Sequence, residues 1–224
     1  MAGLGSLWPG GPDALVVLFG IAGLGWGVAA DRIAARWPAH EDGSVRGLDW
    51  RTPVVALFGA VVLTALPVRF GDVGERLLFG VYFAALVLLM ATDLDQKLLP
   101  DAVTLPLIVL GGFALVWGGD TLVSRSPAWT AVAVAVIVPA LLYASSLPFG
   151  EGALGGGDVK FMVSVGLMTG LVRTVLSLFA GALLGGVVIF ALLIARRITL
   201  KSFVPFGPFL IAGAAWAALL PASS

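Results

Sequence analysis

Leu77 to Asp95 reads LLFGVYFAALVLLMATDLD, sixteen residues without a charge closed by two aspartates two positions apart. As a helix, sixteen residues span about 24 Å, close to the roughly 30 Å hydrocarbon core of a bilayer. Seven similar runs accompany it, near 14–31, 53–68, 102–118, 129–147, 161–173, 175–195 and 205–221. None shows the strict alternation of a barrel strand, and in hydrocarbon only helices or closed barrels satisfy the backbone. The chain is therefore expected to be all-α: a polytopic membrane helix bundle of about eight transmembrane helices, forming one membrane-embedded domain over residues 1–224.

Composition agrees. Hydrophobic residues make up 59% of the 224, charged residues only 12%, and the mean hydropathy is +1.05, whereas soluble domains carry about 25% charge. Net charge is zero, so no broad basic face invites nucleic acid. Cysteine is absent and histidine occurs once, as His40. Disulfides, thiolate metal sites, Cys nucleophiles and His-based triads are excluded, which leaves Asp, Glu, Lys, Ser and Tyr for any chemistry.

The first positive charge, Arg32, follows the first apolar run, which suits a membrane-retained first helix with its N-terminus outside. The segments 32–52, 93–101, 148–160 and 196–204 then face the cytoplasm. They hold Arg32, Arg36, Arg46, Arg51, Lys97, Lys160, Arg196, Arg197 and Lys201, nine of the thirteen positive charges. Only Arg69, Arg76, Arg125 and Arg173 fall on the other side. That bias favours this orientation. Trp50, Trp117 and Trp129 sit near span ends as interfacial anchors, and Gly181-xxx-Gly185 offers a small-residue packing face.

Two acidic junctions fall on the cytoplasmic side. Asp93 closes the third run, where a carboxylate opposes the helix macrodipole. Asp95 is two residues on, and Asp101, before the next span, reads as a helix cap. The other junction is Gly155-Gly156-Gly157-Asp158-Val159-Lys160. A lone Gly-Asp there would read as ordinary capping, with Lys160 snorkelling to headgroups. Three glycines in a row point further, to a close approach of backbones or a positive φ. No GKS or GKT follows, so a phosphate loop does not fit. Two carboxylates brought together share a proton, so that one polarises a water while the other assists the leaving group. That chemistry needs no metal, Cys or His.

Four segments together resemble the type IV prepilin peptidases. Asp93 to Pro106, DLDQKLLPDAVTLP, is similar to their first aspartate motif, and Gly155 to Lys160 resembles their GxGDxK motif. Pro205 to Leu210, PFGPFL, resembles the opening of their last helix, and Leu48 to Pro53, LDWRTP, the stretch entering their second span. In order, the likeness covers most of residues 17–216.

The resemblance implies an intramembrane aspartyl endopeptidase of the plasma (inner) membrane, with its active site facing the cytoplasm. Its partners would be the bilayer and prepilin or pseudopilin substrates, whose short, positively charged leader is cut after a glycine, before the apolar helix. By motif position the catalytic pair is Asp93 and Asp158, supported by Gly155, Gly157, Lys160, Asp95 and Glu151. Glu151 stands where the family often has a Glu, with spacing longer by a residue. Many members carry a larger first cytoplasmic loop with two CxxC pairs that resembles a zinc site. Here that loop is only 32–52 and has no Cys, so no metal and no cofactor are expected. The larger members also N-methylate the new amino terminus with S-adenosylmethionine, and the shortened loop argues against that activity here. A transporter using helix-end carboxylates is the alternative from another class. Asp31, Asp93, Asp101 and Asp158 all lie at span ends rather than mid-membrane, which counts against it. A purely structural subunit leaves Asp93 and the glycine run unexplained.

Overall fold

The computed structural model describes residues 11–40, 43–118, 121, 127–149, 155–199 and 206–221. Within them lie seven α-helices: α1 (Gly11–Ala34), α2 (Arg51–Arg69), α3 (Val73–Gln96), α4 (Asp101–Gly118), α5 (Ala128–Ser146), α6 (Gly156–Ile194) and α7 (Gly207–Leu219). The first six are long and apolar enough to cross a membrane, and α7 is a shorter apolar helix. The chain is an all-α polytopic membrane protein whose helices begin and end within a few residues of the apolar runs.

The two runs expected at 161–173 and 175–195 form one element of 39 residues, α6, broken at Gly170. A straight helix of that length would reach about 58 Å, far beyond a bilayer core. Gly170 takes φ 74° and ψ −177°, a conformation open essentially to glycine. It divides α6 into limbs 156–169 and 171–194, four residues before the expected boundary. Around the break, hydroxyls bond backbone carbonyls: Thr169 to Val165 at 2.8 Å, Thr174 to Gly170 at 2.7 Å and Ser177 to Thr174 at 2.7 Å. These are the side-chain adjustments by which membrane helices tolerate a break.

The chain divides into two compact units, Met1–Asp95 and Gln96–Ser224. In the first, α1 and α2 run antiparallel at very short range. A Cβ on Gly23 would stand 2.3 Å from the Gly59 carbonyl oxygen, and one on Gly27 2.5 Å from Ala56 Cα. In lipid, where apolar side chains gain little by leaving their solvent, such close packing holds helices together. The indole of Trp26 on α1 donates to the Ala84 carbonyl of α3 at 2.9 Å. Phe70, just past α2, stacks on Phe79 of α3 with ring centroids 4.3 Å apart. Phe79, Tyr82 and Phe83 are fully buried, and α3 is the most enclosed long helix, 61% buried over its apolar window against 17–33% for the others.

In the second unit α4 runs parallel to the first limb of α6, Gly157 lying against Leu99 and Gly111 against Leu167. Gly166 meets the Ala135 backbone of α5. α7 runs antiparallel to the second limb, with Gly213 against Ser177 and Gly181 against Phe209. Gly185 packs on the Phe209 ring, so the Gly181-xxx-Gly185 face is a packing face. At the far end Arg173, 4% exposed, donates to the carbonyls of Ala217 (2.7 Å), Leu220 (2.8 Å) and Pro221 (2.8 Å). It satisfies the acceptors that the end of α7 leaves open. Trp50, Trp117 and Trp129 are 62%, 52% and 72% exposed at helix ends, as interfacial anchors should be.

Candidate active site

Asp93 and Asp95 occupy the last turn of α3, which carries no basic residue to offset the macrodipole. Asp93 is 4% exposed. Before it, buried Thr92 donates to the Leu89 carbonyl at 3.1 Å. The helix closes beyond Gln96 with Lys97 at φ 56°, a left-handed stop.

Asp95 is 2% exposed at its side chain and meets three donors, two from the segment between α1 and α2 and one from the first residue of α2. Arg46 Nε lies 2.6 Å from Oδ1, Arg51 Nη1 3.1 Å from the same oxygen, and His40 Nε2 3.1 Å from Oδ2. Arg46 also reaches Asp31 of α1 through Nη2 and Asp49 through Nη1 at 2.6 Å. Asp31, fully buried, is bonded by Arg32 and by the Thr52 hydroxyl at 2.7 Å. Arg32 further ties down the carbonyls of Arg46 (3.2 Å) and Gly47 (3.0 Å). Three carboxylates and three guanidiniums thus balance, the arrangement that makes buried charge tolerable. Burial works against the charge on Arg46, but the hydrogen bond and attraction of Asp31, and then of Asp95, outweigh it and raise its pKa. The sequence marks these arginines only as positive-inside charge; their partners lie up to 49 residues away and leave no periodic trace.

The Gly155–Lys160 stretch opens α6. Gly155 is the N-cap, with extended backbone at φ −66° and ψ 138°. Asp158 stands at the third helical position, where the dipole favours a carboxylate. Its backbone N–H donates to the Gly155 carbonyl at 3.0 Å, and its carboxylate accepts from the Gly155 N–H in return, a reach-back as in a capping box. Capping accounts for one oxygen only. Oδ1 of Asp158 is buried and has no hydrogen-bond partner among the described residues, a costly condition.

The glycines differ in what they do. A Cβ on Gly157 would stand 2.7 Å from Leu99 Cβ and 2.8 Å from the Leu99 carbonyl oxygen; one on Gly155 would stand 3.1 Å from Asp158 Oδ2. Gly156 has open space. The close approach expected of the triplet is therefore the work of Gly157, and none of the three has positive φ.

Lys160 does not face Asp158. Its ammonium holds both oxygens of Asp101 at 2.7 Å, tying the start of α6 to the start of α4. Asp101, expected as a cap, spends its carboxylate on that pair. Glu151 lies outside the described residues, as do Lys201, Arg125 and Pro205. Tyr143, Ser145 and Ser146 are at a helix end; the two serines bond the Leu142 and Tyr143 carbonyls. Among the described residues no cluster of His, Asp or Glu is arranged to hold a metal ion.

Comparison with known proteins places these residues in context. Residues 80–190 match the model of the type IV leader peptidase family. A prepilin leader peptidase/N-methyltransferase of Aeromonas salmonicida is 32% identical over 195 residues, covering 84% of this chain and 59% of the relative. One from Burkholderia pseudomallei is 30% identical, covering 74% and 53%. One from Bacillus subtilis is 25% identical, covering 72% and 62%. The chain thus spans about three fifths of the length of the curated relatives it matches. No solved structure gives a significant match.

Proposed function

The chain belongs to the type IV leader peptidase family, and from that premise we propose that it is an aspartyl endopeptidase that removes the leader from prepilins or pseudopilins. Asp93 and Asp158 are its catalytic carboxylates, Asp95, Gly155, Gly157 and Lys160 support them, and residues 1–224 act as one catalytic domain. The observation that carries the reading is Asp158: glycine-only packing sets it at the head of α6, and capping leaves its buried Oδ1 without a partner among the described residues. Membrane chains keep such costly acids where chemistry uses them.

In the reaction, one carboxylate of the pair holds a proton and the other is ionised. The ionised group takes a proton from water as its oxygen bonds to the scissile carbonyl carbon, and the protonated group hydrogen-bonds the carbonyl oxygen. The tetrahedral adduct then collapses, the C–N bond breaks, and the departing nitrogen receives a proton from the pair. The products are a leader ending in a carboxylate and a mature chain with a free amine. On the family reading the protein sits in the plasma membrane, and the charge bias of the sequence favours this site toward the cytoplasm.

The protein, reconstituted in lipid nanodiscs and mixed with a purified prepilin, tests this. Mass spectrometry is expected to show one cut, after the glycine preceding the apolar helix, and an unmodified amine even with S-adenosylmethionine present. An intact prepilin, or cuts elsewhere, would retire the proposal.

A further inference from the structure

Arg46 occupies an unusual place for a loop residue. Its three guanidinium nitrogens each engage a different carboxylate: Nε with Asp95, Nη1 with Asp49 and Nη2 with Asp31. Those acids come from the last turn of α3, the approach to α2 and the last turn of α1. The side chain is 13% exposed, and the Asp31 and Asp95 side chains are 0% and 2% exposed. A planar fork with fixed donor directions can hold three acids at once; a lysine ammonium, a point charge on a flexible stem, cannot impose that geometry.

The consequence for α3 is rotational. At 100° per residue, Asp93 and Asp95 project about 200° apart around the helix. Fixing Asp95 toward the Arg46 fork therefore sets the azimuth of the last turn and aims Asp93 to the opposite side. Arg51 and His40 add to the hold on Asp95. Arg51 is shared with Asp49, and its bond to Asp95 is longer than that of Arg46.

We propose that Arg46 is a positioning residue for peptide cleavage: by clamping Asp95 against Asp31 and Asp49, it fixes the rotation of the α3 terminus that presents Asp93. This rests on the aspartyl reading given above. Arg46 touches no reacting atom; it acts through Asp95 and the helix.

The test separates positioning from charge compensation. Wild type, Arg46→Lys, Arg46→Met, Asp95→Asn and the double variant Arg46→Met/Asp95→Asn are purified in nanodiscs, and kcat, KM and melting temperature are measured with a prepilin substrate. Arg46→Met leaves Asp95 short of its closest cation and is expected to lose melting temperature and kcat together. Adding Asp95→Asn removes the uncompensated charge and restores the melting temperature. kcat stays depressed about 100-fold, the effect of a misplacement near 1 Å, while KM stays within about twofold of wild type. Arg46→Lys keeps the charge and is expected to fall between the two in kcat. Recovery of wild-type kcat in the double variant, or full activity in Arg46→Lys, would overturn the proposal. Asp93→Asn serves as a control: if it cleaves normally, the aspartyl reading fails by itself, whatever Arg46 does.

Discussion

Gly157 lies so close to Leu99 that a Cβ there would stand 2.7 Å from the Leu99 Cβ and 2.8 Å from its carbonyl oxygen. This contact sets the start of α6, and with it Asp158, against the turn that opens α4. Gly157→Ala is therefore expected to force the two backbones apart, costing about 1–3 kcal/mol of stability. Gly156→Ala, with open space at its Cβ, should be neutral. Thermal melts of both variants in the same detergent check the contrast. Equal melting temperatures would mean the approach is not needed.

Gly155→Ala separates geometry from stability. Its Cβ would stand 3.1 Å from Asp158 Oδ2, so the carboxylate must shift by a few tenths of an ångström. The melting temperature should hardly change, while cleavage falls about 10-fold or more, since small misplacements of a reacting group are costly. The ratio of kcat to melting shift is the readout.

Lys160 and Asp101 form a largely exposed pair, 39% and 58% accessible at their side chains, and such pairs contribute about 0–1 kcal/mol. Lys160→Ala and Asp101→Asn are each expected to lower cleavage only modestly and to the same degree. The double variant should be no worse than either, because each acts through the other. Additive losses in a double-mutant cycle would show instead that Lys160 serves Asp158 directly.

Arg173→Met removes the donor shared by the carbonyls of Ala217, Leu220 and Pro221. Leaving buried acceptors unsatisfied costs about 1–3 kcal/mol, so the melting temperature should fall. This is a role in folding: KM for the prepilin should be unchanged among molecules that stay folded.

How much of this was legible in the sequence follows from the range of the interactions. The helices were legible because hydrocarbon demands long uncharged runs, and the observed ends fall within a few residues of them. The packing role of Gly181 and Gly185 and the close approach at the glycine triplet were legible because small residues have few other uses. Gly170 was not: thirty glycines in the chain hide the one that breaks α6 with a positive φ, so the break lies four residues before the boundary the apolar runs suggest. The Arg46 junction was also hidden. Arg46 looks like any positive-inside charge, and only the folded chain brings Asp31, Asp49 and Asp95 around it. Asp101 has the local signature of a cap, and its partner lies 59 residues away.

The most direct test of the catalytic assignment is the rate of leader removal by Asp93→Asn and Asp158→Asn, each purified beside wild type at matched melting temperature. Each substitution keeps shape and removes a carboxylate. Each is expected to cut the rate by about 10²–10⁴-fold, the span of a lost acid–base group, with prepilin still bound. Normal cleavage by either variant would contradict the assignment of Asp93 and Asp158 as the reacting pair.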